Sequence, residues 1–153
     1  MSPDGKKPGY AIVGTGMMGR EHIRAVLLLN QATIVGLYDS NPKSLALGVA
    51  EVERVGGKAP KQYTDLAALT DDSAVDAILI CTPNFTHRAI FDSVKASKKP
   101  IFLEKPMATT LDDALYLAQA ALAYPAPIQL GMQYRYKSQY QLALSALEKS
   151  ELG

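Results

Sequence analysis

Three glycines and one carboxylate have the types and spacing to bind a phosphorylated ligand. The glycines lie in Gly14-Thr15-Gly16-Met17-Met18-Gly19, and the carboxylate is Asp39. The apolar run Tyr10-Ala11-Ile12-Val13 leads into the glycines, and Ile23, Val26 and Leu27 follow at helical spacing. Strand, G-x-G-x-x-G and helix in that order form the dinucleotide-binding fingerprint. Gly14 permits the tight turn, Gly16 lets backbone approach a pyrophosphate, and Gly19 lets helix and strand pack closely. The helix start offers N–H groups and the positive end of its dipole to an anion. About twenty residues further on, a second apolar run, Ile34 to Tyr38, ends in Asp39. An acid there accepts hydrogen bonds from the adenosine ribose hydroxyls and repels the extra phosphate of NADP. No arginine follows it, and Arg20 and Lys43 are the nearby cations. The pattern predicts NAD, with NADP the less favoured cofactor.

The elements that must position these groups alternate along the chain. Strands are expected at Tyr10–Val13, Thr33–Tyr38, Lys61–Tyr63, Ala77–Cys81, Ile101–Leu103 and Ile128–Met132. Helices are expected at Met18–Leu29, from Asn41-Pro42 toward Gly56-Gly57, from Asp65, and at Thr86–Ser97, Thr110–Ala123 and Ser138–Lys149. Proline suits a first helical turn, glycine a helix end, and aspartate an N-cap. Continuous apolar runs such as Ala77 to Cys81 mark strands covered on both faces of a parallel sheet. The fold class is therefore α/β, with a doubly wound parallel Rossmann sheet.

Ligands on such sheets bind at the carboxyl ends of the strands. That rule selects Gly14–Gly19, Asp39, Thr82-Pro83-Asn84 with His87, Glu104-Lys105-Pro106, and Gln133 to Tyr136. His87 reads equally as a cofactor or substrate contact and as a residue holding its loop. His22, one turn past Gly19, reads as packing. Glu104 is expected to pair with Lys105 or accept from nearby backbone N–H groups. A cis bond before Pro106 would mark a required turn. Cys81 reads as core. Two histidines and one cysteine show no metal-ligand spacing, so no metal is expected.

The chain has 153 residues, 48% hydrophobic and 20% charged, with net charge +1. That is enough for a core, and no run of one sign points to nucleic acid or a membrane surface. Tyr134, Arg135, Tyr136 and Lys137 interleave aromatics and cations, but the patch is short and reads as a strand edge at the cofactor cleft. A single cysteine fits a reducing cytoplasm. Residues 1–8 are polar, lack the apolar stretch of a signal peptide, and are expected to be a disordered tail.

Four segments together resemble the glucose–fructose oxidoreductase / inositol dehydrogenase / MocA family of nicotinamide-dependent oxidoreductases. They are Gly14 to His22, Cys81 to His87, Glu104-Lys105-Pro106-Met107-Ala108, and Gly131 to Tyr136. The resemblance runs from Tyr10 to Gly153. It implies a Rossmann domain over 9–132 and, at 133–153, the start of a C-terminal α/β domain that is largely absent. It also implies hydride transfer between NAD(P) and a secondary alcohol of a sugar, polyol or related small molecule, with a homo-oligomer as the full-length form.

In the family, the lysine corresponding to Lys105 lies near nicotinamide and substrate, so Lys105 is the catalytic candidate. The cofactor-binding candidates are Gly14, Thr15, Gly16, Met17, Met18, Gly19, Asp39, Thr82, Pro83, Asn84, His87, Glu104, Lys105 and Arg135. The resemblance places the other acid/base residues in the C-terminal half. By this reading the 153 residues are inactive alone, and are a fragment, a truncated form or a natural short version. A non-catalytic nucleotide-binding regulator or sensor is the alternative. A flavin- or SAM-binding protein is disfavoured by Glu104-Lys105-Pro106.

Overall fold

The computed structural model describes residues 5–150. Six strands form one parallel sheet in the order β3-β2-β1-β4-β5-β6. They are β1 (Gly9–Val13), β2 (Thr33–Tyr38), β3 (Lys61–Gln62), β4 (Ala77–Ile80), β5 (Ile101–Leu103) and β6 (Ile128–Leu130). The helices are α1 (Met17–Leu29), α2 (Pro42–Arg54), α3 (Leu66–Asp71), α4 (His87–Val94), α5 (Leu111–Ala123) and α6 (Ser138–Glu148). This is the doubly wound parallel Rossmann sheet expected from the alternation.

The details differ at element ends. The stretch expected as one helix over Thr86–Ser97 is α4 flanked by 3-10 turns at Asn84–Thr86 and Lys95–Ser97. Tyr63, Cys81 and Met132 fall just beyond their strands. The Tyr63 and Cys81 N–H groups still extend the ladder, donating to Leu37 and Val13. Side-chain caps start three helices. Asn41 accepts from Lys43 N, Asp65 from Ala68 N, and Thr110 from Asp113 N. Each satisfies an N–H that the helix itself leaves free.

Side chains alternate across the sheet, so two core layers form. Ala11, Val13, Ile78, Ile80, Ile101 and Leu103 face one side with Leu69, Phe91, Val94 and Leu117. Ile12, Leu79 and Cys81 face the other with Ile23 of α1 and Val52 of α2. A register shift at Tyr10/Ala11 lets both Ile34 and Leu37 reach that second layer despite their odd spacing.

The chain enters the sheet firmly. The Pro8 carbonyl accepts from Thr33 N at 2.9 Å, and Gly9 N donates to Asp76 at 2.7 Å. Residues 1–4 of the expected tail lie outside the described residues. At the other end α6 buries none of its residues. It meets the Gln133–Tyr136 turn, where Tyr134 stacks on Tyr140 at 5.5 Å. Leu142 is 71% exposed.

Candidate functional site

β1 and β4 are parallel neighbours in the middle of the sheet, and the order in which strands are added reverses between them. The crossovers from their carboxyl ends leave toward opposite faces, and a crevice opens between them. A cleft of about 600 Å³ lies there, bounded by Gly14, Gly16, Met17, Asp39, Thr82 and Pro83 among others.

Gly14 has φ +93°, and a Cβ there would stand 2.7 Å from Thr82 N and 2.8 Å from the Cys81 carbonyl carbon. The loops after β1 and β4 touch backbone to backbone, which only glycine permits. At Gly16 the opposite holds: a Cβ would meet no atom within 4 Å. Gly16 is the N-cap of α1, and no acidic residue occupies the first turn. Its missing side chain leaves the N–H groups of the helix start open to an anion. At Gly19 a Cβ would collide with the Gly14 carbonyl, so this glycine sets how closely α1 lies on its own loop.

Asp39 reaches across to the glycine turn. Its Oδ2 accepts from Thr15 N at 2.7 Å and lies 3.1 Å from the Thr15 hydroxyl; its Oδ1 accepts from Asn41 N at 2.8 Å. Thr15 is fully buried, so it supports Asp39 from beneath the cleft. The bare Gly48 on α2 makes room for it, since a Cβ there would stand 2.7 Å from Thr15 Cγ2. The Thr15 carbonyl accepts from Arg20 Nη1 at 2.9 Å, which holds that cation to the glycine turn.

On the other wall, Thr82 and Pro83 line the cleft together with Phe85 and Thr86. Asn84, predicted to do so, is not among the lining residues. Phe85 is 69% exposed at the cleft, a role its loop position alone did not signal. His87 requires a correction. It is 1% exposed, with Nε2 3.1 Å from the Thr82 carbonyl and Nδ1 3.2 Å from the Met107 carbonyl. The ring is enclosed between two backbone carbonyls, one in each loop, so it packs the two loops together and presents nothing to a cofactor. Cys81 reaches the cleft wall, but burial, aided by the Glu104 charge, pushes its thiol pKa up and keeps it unreactive.

Lys105 belongs to a second cavity. About 510 Å³ is lined by Lys105, Gly131, Gln133, Tyr134, Arg135 and Tyr140, with Met132. The two cavities share no lining residue. Arg135, expected at the cofactor, stands instead with Lys105. The Lys105–Pro106 bond is cis, as expected. Glu104 is buried and pairs with His22, not with the Lys105 ammonium: Oε1 lies 2.6 Å from His22 Nε2, and Oε2 accepts from Lys105 N at 3.0 Å. Among the described residues no group of three or more His, Cys, Asp or Glu is arranged to hold a metal ion. No helix there is long and apolar enough to cross a membrane.

Residues 9–132 match the GFO_IDH_MocA family, described as an oxidoreductase family with an NAD-binding Rossmann fold. The chain belongs to this family. Inositol 2-dehydrogenase from Paracoccus denitrificans is 32% identical over 131 residues, 84% of this chain and 38% of that protein. Glucose-6-phosphate 3-dehydrogenase from Bacillus subtilis is 28% identical over 142 residues, 93% of this chain and 38% of that one. Among solved structures, myo-inositol dehydrogenase from Lactobacillus casei, in complex with NAD(H) and myo-inositol, superposes with a TM-score of 0.83 at 28% identity. That match covers 97% of this chain and 43% of the other. This member of the family thus spans about two-fifths of the length of these relatives. It is an NAD-binding Rossmann domain whose glycine turn, Asp39 and Thr82-Pro83 meet in one cleft.

Proposed function

We propose that this domain binds NAD(H) for an enzyme that oxidises a secondary alcohol of a sugar, polyol or related small molecule. The observation that carries the reading is the cleft at the β1/β4 crevice. There the side-chain-free Gly16 exposes the start of α1, and the Asp39 carboxylate stands on the rim.

The residues present fit a dinucleotide. The first-turn N–H groups of α1 would hold the diphosphate, with the helix dipole adding to the attraction. Asp39 would take an adenosine ribose hydroxyl. A carboxylate offers about four lone-pair sites, and Thr15 and Asn41 leave roughly one of them free, on Oδ1. The Asp39 charge opposes a phosphate at that ribose, and Arg20 is engaged by the Thr15 carbonyl. Both features favour NAD over NADP. When bound, the nicotinamide supplies the hydride acceptor. Lys105 would hold the substrate hydroxyl in the second cavity and assist its proton transfer.

Residues 133–153 would begin the second domain, which completes the substrate wall and supplies further acid/base groups. Tyr134, Tyr136 and Leu142 are all exposed, and that domain or a homo-oligomer contact would cover them. The cytoplasm is the proposed compartment.

The test has two arms. Calorimetry on the 153-residue chain is expected to show tighter binding of NADH than of NADPH. An NADH-absorbance assay over a polyol and sugar panel is expected to show turnover by the longer protein and none by the 153-residue chain. A chain that binds neither nucleotide would overturn the cofactor reading. Robust turnover by the chain alone would overturn the placement of the chemistry.

A further inference from the structure

His22 and Glu104 are far apart in sequence and have no part in the cleft described above. One is on α1, the helix that begins at the glycine turn. The other directly precedes Lys105. Their side chains meet at 2.6 Å in largely buried surroundings. Phe102 holds the imidazole edge-on at 4.8 Å between centroids. Gly131, at the end of β6, brings bare backbone against both: a Cβ there would stand 2.9 Å from Phe102 Cζ and 3.3 Å from Glu104 Oε2. The second Glu104 oxygen accepts the Lys105 N–H.

A buried carboxylate is held in one orientation only if its lone pairs are engaged. Here one oxygen is engaged by α1 and the other by the backbone of the proposed catalytic loop. We propose that His22 and Glu104 are positioning residues. His22 orients the Glu104 carboxylate, and Glu104 in turn fixes the backbone from which Lys105 reaches its cavity. The couple mechanically joins the phosphate-binding helix to the lysine loop, so the cofactor cleft and the substrate cavity keep a set spacing although they share no wall. The proposal rests on the role given to Lys105 above, but its contacts stand without it.

The test uses the 153-residue chain and two substitutions with opposite chemistry. His22→Phe keeps the ring against Phe102 and loses the hydrogen bond. His22→Gln keeps an N–H donor near the Nε2 position and loses the ring. Hydrogen exchange of the Lys105 amide is read by NMR, with the β4 amides as an internal control and NADH affinity measured in parallel. The expected result is at least tenfold faster Lys105 exchange in His22→Phe. His22→Gln should stay within threefold of the parent, and β4 exchange and NADH affinity should be nearly unchanged in both. Glu104→Ala should match or exceed His22→Phe. If His22→Phe protects Lys105 as well as the parent, or if His22→Gln is the worse of the two, His22 is packing alone and the proposal falls. Failure of NADH binding in the parent would instead strike the functional reading and leave the exchange result standing.

Discussion

Replacing Gly16 by valine puts a branched side chain into space that no protein atom occupies. A Cβ at this position meets nothing within 4 Å, and φ is −62°, open to any residue. The folded state therefore loses little. Valine is a poorer N-cap than glycine, a difference of about 0.5–1 kcal/mol. For a domain of this size that lowers Tm by about 1–4 °C. Binding is another matter, because under the proposed function the valine methyls would stand where the diphosphate approaches the helix start. Hydrogen bonds to a charged group contribute about 1.5–3 kcal/mol each, so losing two costs about 3–6 kcal/mol. At about 1.4 kcal/mol per tenfold, NADH affinity falls at least a hundredfold. Gly14→Ala is the control. Its φ of +93° and the 2.7 Å approach to Thr82 N make it a folding defect first. It should cost more than about 2 kcal/mol and lower Tm more than Gly16→Val does. Thermal melts and fluorescence titration with NADH separate the two effects. If Gly16→Val binds NADH within threefold of the parent, or melts as low as Gly14→Ala, the reasoning is refuted.

Asp39→Ala should weaken NADH binding about tenfold and narrow the gap between NADH and NADPH, measured by calorimetry; an unchanged ratio would remove Asp39 from cofactor choice. Under the proposed function, Lys105→Ala in a form of the protein that turns over substrate should lower kcat about a hundredfold while NADH affinity stays within threefold, as for other positioned acid–base groups; unchanged kcat would return it to a surface lysine. Glu51 accepts from Arg54 and Arg24, which hold its pKa at about 2 against an ordinary 4.5. A pKa lowered on folding adds stability that is full above the unfolded value and is lost as pH falls from about 4.5 toward 2. Tm should decline through that window, and less steeply in Glu51→Gln; equal slopes would show that the cluster with Arg24 and Arg54 adds nothing.

Much of this domain was legible from residue order, because its signals are local. Strand runs such as Ala77 to Ile80 need only their own apolar side chains to be recognised. Caps such as Asp65 act within three residues, and the glycine turn is defined by neighbours. The same locality made the candidate cleft readable: Gly14 to Gly19, Asp39 and Thr82-Pro83 each end a strand, and a parallel sheet brings strand ends to one edge.

What residue order did not determine is which polar groups spend their hydrogen bonds on one another. The position of Asp39 after β2 predicts a ribose ligand, yet it also holds the Thr15 N–H and hydroxyl from 24 residues away. His87 was as readable on the cleft wall as beneath it; burial between the Thr82 and Met107 carbonyls decided the matter. Arg135 and Lys105 share a cavity because β6 lies beside β5, a pairing no local pattern encodes. His22 and Glu104 are separated by 82 positions and meet only once α1 is laid on the sheet. Sequence by itself determined the elements, their alternation and the glycine turn, since these follow from side-chain periodicity and backbone freedom over a few residues. The tertiary structure alone decided which buried polar atoms pair, since that depends on the angle and depth at which each helix packs.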